Sequence, residues 1–391
     1  MTPPRPPVSS PRSAARPRRA SVLLALLAAL AVAAPALGAA PAPTRDYVVV
    51  LRDTVTSPAA VAREHERRLG VDVSSTWTRA LEGYAAAVPE GAVEALRDDR
   101  RVELVEPDRP VYAAAQRLPW GVDRVEADQS ATALAGDGRG AVTGVNVYVL
   151  DTGIAAHPDL NLVGKVNLAG GTNDDCAGHG THVAGTIAAR DDGEGVVGVA
   201  PGAPLTAVRV LDCNGAGTTS SVLDGINWIT GNARKPAVAN LSLGGRPSQA
   251  IDDAVRRSAA SGVVYALAAG NEGQDACGLS PARLGRAAGI ITTAATDDRD
   301  AEAGFSNYGA CVDLWAPGAR ILSTSRSGGT ATFTGTSMAS PHVAGGAALV
   351  LAGEPGASPA QVESALKGAA TSLGARSEDG RTVLLENVGA F

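Results

Sequence analysis

Lysine is nearly missing from this chain, with three in 391 residues. Positive charge is left to Arg, and from Asp46 onward the Arg are scattered among more numerous carboxylates: 13 acidic against 9 basic over 46–114, net −4, and 27 against 19 over 115–391, net −8. A nucleic-acid reader needs a basic patch or stripe to track phosphates, so no nucleic-acid partner is expected. Cysteine is scarce too: Cys176, Cys213, Cys277 and Cys311, with no CxxC spacing among them. That removes the usual signature of a structural zinc site. An even number in an exported chain points to two disulfides, for which arithmetic allows three pairings. Residues 1–45 lack acidic side chains altogether and hold six Arg ahead of and around "ASVLLALLAALAVAAPALGAA", Ala20 to Ala40. A basic start, an apolar run and a small-residue tail make 1–40 a secretory signal, cut between about Ala36 and Ala40. Pro35 and that tail favour cleavage over a stop-transfer helix, so a secreted product without stable membrane association is expected.

Residues 46–114 have their own rhythm. "YVVVL" (47–51) reads as a strand, and "SPAAVAREHERRLG" (57–70) as a helix with Ser at the N-cap, Pro58 at its first position and Gly70 at its end. "VSSTWT", "LEGYAAAVP", "EGAVEALRDD" and "RVELVEP" continue as strand, strand, helix, strand. The order β-α-β-β-α-β predicts a small ferredoxin-like α+β unit. An RNA reader of that shape stacks bases on aromatic rings in its central strands. Here those strands offer mainly Val, Leu and Ala, with Tyr47 and Tyr84 the only nearby rings, which speaks against it. His65, on the charged first helix, is expected at the surface.

"PDRPVYAAAQRLPWGVDRV" then breaks the pattern as a linker would, placing a boundary near Ala113–Gln116. Beyond it the apolar runs 145–151, 205–212, 237–243, 263–271 and 290–296 alternate with helix-like stretches. Near-continuous apolar strands between helices predict a doubly wound α/β fold with a mostly parallel sheet covered on both faces. Sites in such folds lie outside the carboxyl ends of the strands. Asp151, Asp212, Ser242 and Asn271 stand at or beside those ends, Asp212 reading as a loop residue.

"GTSMASPH" (335–342) sets Ser337 five residues ahead of His342. A Ser hydroxyl needs an adjacent base and a third group to orient that base. If the stretch after Ser337 is helical, five residues turn the direction by about 500°, so His342 points roughly 140° away. Among the other His, His65 lies in the small unit and His157 in a loop before Pro158, where an exposed side chain is expected. In "GHGTHVAGT" (178–186) His179 stands between two Gly, whose missing side chains let another backbone or a substrate approach. His182, about one turn further on, reads as a packed His. Asp151 in "VLDTGI" supplies a carboxylate at a strand end.

"DTGI", "GHGTHVAGT" and "GTSMASPHVAG", in that order, resemble the three signature segments of the subtilisin-like serine proteases, whose chain order Asp, His, Ser is that of subtilisin itself. "CAGHGTHVAGT", "VRVLDCNGAGT", "NEGQDACGLSPAR" and "FSNYGACVDLWAPG" are similar to the proteinase K-like branch, close to its aqualysin-type members. The resemblance runs from about Trp120 to about Gly353. It implies a subtilisin-like serine endopeptidase of broad specificity acting on proteins and peptides, with Ser337 as nucleophile, His179 as base, Asp151 as its partner and Asn271 as oxyanion donor. Ser242, Leu243 and Gly244, and Ala268, Ala269 and Gly270, would form the two edges of the substrate groove. Cys176 would pair with Cys213, and Cys277 with Cys311. Val183 replaces the free Cys that proteinase K carries, so no thiol-dependent behaviour is carried over. No cofactor is implied for catalysis, while a structural calcium would use Asp313 and the carbonyls of Ala288 and Ile290. Residues 46–114 are similar to the family's inhibitor-type propeptide, which implies a monomeric peptidase domain, 115–391, released from its own propeptide by self-cleavage. The rival of another class is a catalytically silent binding protein on the same fold.

Overall fold

The computed structural model describes residues 44–108 and 116–391, which form two compact units. The expected signal segment and the linker Ala113–Ala115 lie outside the described residues. In the first unit β1 (Thr44–Leu51), α1 (Pro58–Leu69), β2 (Asp72–Thr78), β3 (Glu82–Pro89), α2 (Val93–Arg97) and β4 (Val102–Pro107) follow one another. The strands lie in the order β2-β3-β1-β4, each antiparallel to its neighbour, the ferredoxin-like arrangement. Pro58 starts α1 and Gly70, at φ 69°, ends it in the left-handed region that favours glycine.

His65 corrects the sequence reading. It is fully buried, its Nδ1 2.5 Å from the Tyr84 hydroxyl and its Nε2 3.1 Å from an Asp99 carboxylate oxygen. Pro58, Val61, Ala62 and His65 are the buried positions of α1, and their spacing of i, i+3, i+4, i+7 is one helical face. The charged residues between them disguised a stripe to which His65 belongs.

The second unit opens with α3 (Trp120–Arg124), β5 (Asn146–Asp151), β6 (Leu162–Asn167), α4 (His179–Ala188), β7 (Leu205–Arg209), α5 (Thr219–Asn232), β8 (Ala237–Leu241) and α6 (Gln249–Ala260). Next come β9 (Val263–Ala268), β10 (Ile290–Thr296), β11 (Leu314–Pro317) and the hairpin β12 (Ile321–Thr324) with β13 (Thr330–Phe333). Helices α7 (Thr336–Gly353) and α8 (Pro359–Ala369) precede a last hairpin, β14 (Thr371–Arg376) and β15 (Thr382–Leu385). One nine-stranded sheet runs β14-β15-β11-β10-β9-β8-β5-β7-β6 and is parallel except for β14 against β15.

Both faces are covered. Val147 and Val149 of β5 pack with Val183 and Ile187 of α4 and with Met338, Val343 and Leu349 of α7. Tyr148 and Leu150, pointing the other way, pack with Ile226 and Ile229 of α5 and Val255 of α6. Helix α7 is apolar nearly all round because it is buried nearly all round. From β5 the chain crosses to the edge strand β6, returns to fill β7 between the two, and then passes to the other side of β5 to add β8, β9, β10 and β11 in turn. Asp151, the last residue of β5, therefore stands at the switch point, where such sheets open a crevice. No described helix is long and apolar enough to cross a membrane.

Candidate active site

Asp151 is fully buried, and its Oδ1 accepts the Thr152 amide at 2.7 Å. His179 is the first residue of α4 and partly exposed. Its Nδ1 donates to Asp151, 2.8 Å from Oδ1 and 2.9 Å from Oδ2. A carboxylate only accepts, so this contact places the proton on Nδ1 and leaves Nε2 as the open nitrogen. The negative charge of Asp151 raises the proton affinity of the imidazole, against the opposing effect of burial. The close approach depends on Gly180: a Cβ there would overlap the Gly153 carbonyl oxygen and lie 3.0 Å from the Asp151 Cβ.

Asp175 fixes the start of α4 and was not singled out in the sequence. One of its oxygens accepts from the Thr152 hydroxyl at 2.8 Å and the Gly178 amide at 2.7 Å. The other accepts from the Thr181 amide at 2.9 Å and the Thr181 hydroxyl at 2.6 Å. A carboxylate at a helix N-terminus satisfies amides that have no partner within the helix. An Asp in "NDDCAGHG" looks like ordinary turn chemistry, so only its four residues of lead on His179 could have hinted at this.

Ser337 is the second residue of α7. Its hydroxyl donates to the Ser242 carbonyl at 3.2 Å, while the Ser242 hydroxyl donates to the Ser337 carbonyl at 2.8 Å. Asn240 donates to the Ser242 hydroxyl at 2.9 Å and accepts from Ser340 at 2.7 Å, stitching α7 to the end of β8. Among the described residues Ser337 makes no hydrogen bond to His179. Such bonds are often long in unliganded enzymes and tighten when substrate binds.

Asn271 follows β9 and is exposed. Its Oδ1 accepts from the Thr336 amide at 2.8 Å and the Thr336 hydroxyl at 3.0 Å, which leaves its NH2 group free to donate. Asn307, also not singled out beforehand, secures this loop: its Oδ1 accepts the amides of Glu272 at 3.1 Å and Gln274 at 3.0 Å, and its Nδ2 donates to the Ala269 carbonyl at 2.9 Å. Gly270, at φ 104°, lies so close to the Asn307 amide that a Cβ would overlap it.

A cavity of about 230 Å³ is lined by Ser242, Leu243 and Gly244 and by Ala268, Ala269 and Gly270, together with Ser337 and Asn271. A larger groove of about 910 Å³ shares the Ser242–Gly245 wall and reaches His179 and the Cys176–Cys213 bridge. The second disulfide joins Cys277 to Cys311.

The remaining candidates fall elsewhere. His342 is buried in α7 with Nδ1 2.8 Å from the Met338 carbonyl, and His182 is buried beside the carbonyls of Ile321 and Ala331. Asp212 accepts the Asn214 and Ala216 amides as a turn residue. His157 corrects the expectation of an exposed side chain: it is buried, its Nδ1 accepting the Asp159 amide at 3.2 Å and its Nε2 donating to the Gly329 carbonyl at 3.0 Å. The loop between β12 and β13 covers it. Asp313, expected beside a calcium ion with Ala288 and Ile290, has its carboxylate against the Lys367 ammonium at 2.8 Å.

A model of the subtilase family matches residues 142–389. The chain is 47% identical over 332 residues to an extracellular serine proteinase of Thermus sp. (strain Rt41A), across 81% of this chain and 78% of that protein. It is 46% identical over 264 residues to subtilisin Savinase of Lederbergia lenta, across 66% of this chain and 94% of the relative. Among solved structures, that of a cold adapted subtilisin-like serine proteinase superposes with a TM-score of 0.61 at 40% identity, covering 70% of this chain and 98% of that one.

Proposed function

This chain belongs to the subtilase family of serine peptidases, and from that premise we propose that it is a secreted endopeptidase acting through Asp151, His179 and Ser337 and made as a self-processed precursor. Members of the family need no cofactor for catalysis. The observation that carries the reading is the His179–Asp151 contact at 2.8 and 2.9 Å, which turns Nε2 into the free base.

Rotation of the Ser337 hydroxyl away from the Ser242 carbonyl brings its proton to Nε2, and Oγ attacks the scissile carbonyl carbon. Negative charge then develops on the carbonyl oxygen. It is met by the Asn271 NH2 group and the Ser337 backbone N–H at the start of α7. The imidazolium, stabilised by Asp151, gives its proton to the leaving amine, and water, activated by the same base, cleaves the acyl-enzyme. The segments 242–244 and 268–270 offer main-chain edges to an extended peptide. Binding through such edges tolerates many sequences, which supports broad specificity.

Export of this chain is supported by the apolar segment near its start and by the extracellular description of the Thermus relative. The unit of residues 46–114 serves as propeptide, assisting the folding of a sheet rich in non-local contacts and then inhibiting it. Cleavage falls near Ala113–Ala115, leaving a peptidase that starts near Ala115. The calcium expected at Asp313 is no part of this proposal.

A serine-directed phosphonylating reagent with a broad peptide substrate tests the reaction: labelling at Ser337 with loss of turnover is expected, and turnover without Ser337 would overturn it. Expression of Ser337→Ala in a host lacking other proteases tests processing. The uncut precursor should persist, and cleavage as efficient as in the parent would show that another protease does it.

A further inference from the structure

We infer that the corner where the family resemblance puts calcium is closed by the ammonium of Lys367, so that Asp313 is half of a built-in ion pair and holds no metal. The Asp313 side chain is buried, at 1% exposure, and both its oxygens are engaged. Oδ1 receives Lys367 Nζ at 2.8 Å and Oδ2 accepts the Thr292 amide at 3.0 Å, while the Arg286 amide lies 3.2 and 3.4 Å from the pair. Lys367 also reaches Glu363 Oε1 at 3.2 Å, one turn earlier on α8, and Glu363 Oε2 accepts the Gly289 amide at 2.8 Å. One ammonium thus joins two carboxylates that between them hold the segment 286–292.

The donor set does not suit calcium. That ion takes about 6–8 oxygens at roughly 2.3–2.6 Å, whereas here Oδ1 of Asp313 already accepts from an ammonium that has donors only, and Oδ2 accepts a backbone amide. A divalent ion could enter only by expelling Lys367, since two cations against one buried carboxylate repel strongly.

The choice of residue fits the task. In a chain whose other positive charges are almost all Arg, Lys367 brings a compact ammonium within reach of Asp313 and Glu363 at once. The pair ties α8 to the place where β10 and β11 meet: Asp313 N donates to the Thr292 carbonyl at 2.9 Å while Thr292 N donates back to the Asp313 side chain. Strand β10 is the neighbour of β9, which runs into Ala268–Asn271. The substrate wall is therefore braced by a contact that a chelator cannot remove.

Calcium titration calorimetry and thermal melts of the full chain, carrying Ser337→Ala to prevent self-digestion, test the inference. Asp313→Asn should bind as many calcium ions as the parent, and Lys367→Met should melt roughly 5 °C or more below it in chelator, because a buried carboxylate has lost its partner. Loss of one bound calcium in Asp313→Asn would overturn the inference, as would an unchanged melt in Lys367→Met. The calcium count does not depend on Lys367→Met folding, so a variant that fails to fold leaves the first arm decisive.

Discussion

His179 is held above the ordinary histidine range by the charge of Asp151. A general base works only when deprotonated, so peptidase activity should rise with pH along a limb centred above about 6.5. For stability the sign is opposite: a raised pKa favours folding fully below the unfolded value, and that contribution is lost as pH rises through the folded one. Asp151→Asn removes the charge and frees the tautomer, so the limb should move down and kcat should fall by about 10⁴-fold. An unmoved limb in a pH–rate profile would take Asp151 out of the role. At Asn271, where Thr336 fixes Oδ1 and leaves NH2 free, Asn271→Ala should lower kcat by roughly 10²–10³-fold with little change in KM, a magnitude that comes from subtilisin itself. A change confined to KM would mean that Asn271 binds substrate and does not stabilise the oxyanion.

At the scale of elements, the first turn of α4 is where a small change travels far. Gly180→Ala would drive a Cβ into the Gly153 carbonyl, and the turn must shift, opening the 2.8 Å contact between His179 and Asp151. A displacement of about 1 Å is enough to cost 10²-fold, so kcat/KM should fall at least that much, with a lower melting temperature. Gly231, inside α5 with open space around it, is the control. Gly231→Ala should leave activity unchanged and stabilise by roughly 0.5–1 kcal/mol in denaturant unfolding, because alanine loses less backbone freedom on folding. Equal behaviour of the two variants would show that helix propensity, and not the approach to Gly153, governs α4.

At the scale of the whole molecule, burial sets the response to acid. His182 and His342 are fully buried, and loss of solvation pushes each down to about 4. Unfolded, they titrate near 6.5, so between those values the unfolded chain binds more protons and stability falls as pH falls. The loss approaches, on the order of magnitude, 3 kcal/mol for each by the low end of that window. Denaturant midpoints of the Ser337→Ala chain at pH 4.5 and 7.5 should differ clearly, and equal midpoints would mean that these imidazoles are not held neutral.

The sequence by itself carried the order Asp151, His179, Ser337 and the division into a small antiparallel unit and a large parallel one. Parallel strands buried on both faces must be apolar throughout, and caps such as Pro58 and Gly70 act within one or two residues, so both leave a local trace. Tertiary structure alone decided the rest. His65 and His157 were expected outside and are buried, because the sheet face and the covering loop come from distant chain. Asp175 and Asn307 look like turn residues until their acceptors meet the amides of α4 and of the Asn271 loop. Asp313 meets Lys367 across 54 residues of sequence. Which charge neutralises a buried carboxylate depends on what the fold packs against it, and no local pattern of residues holds that information.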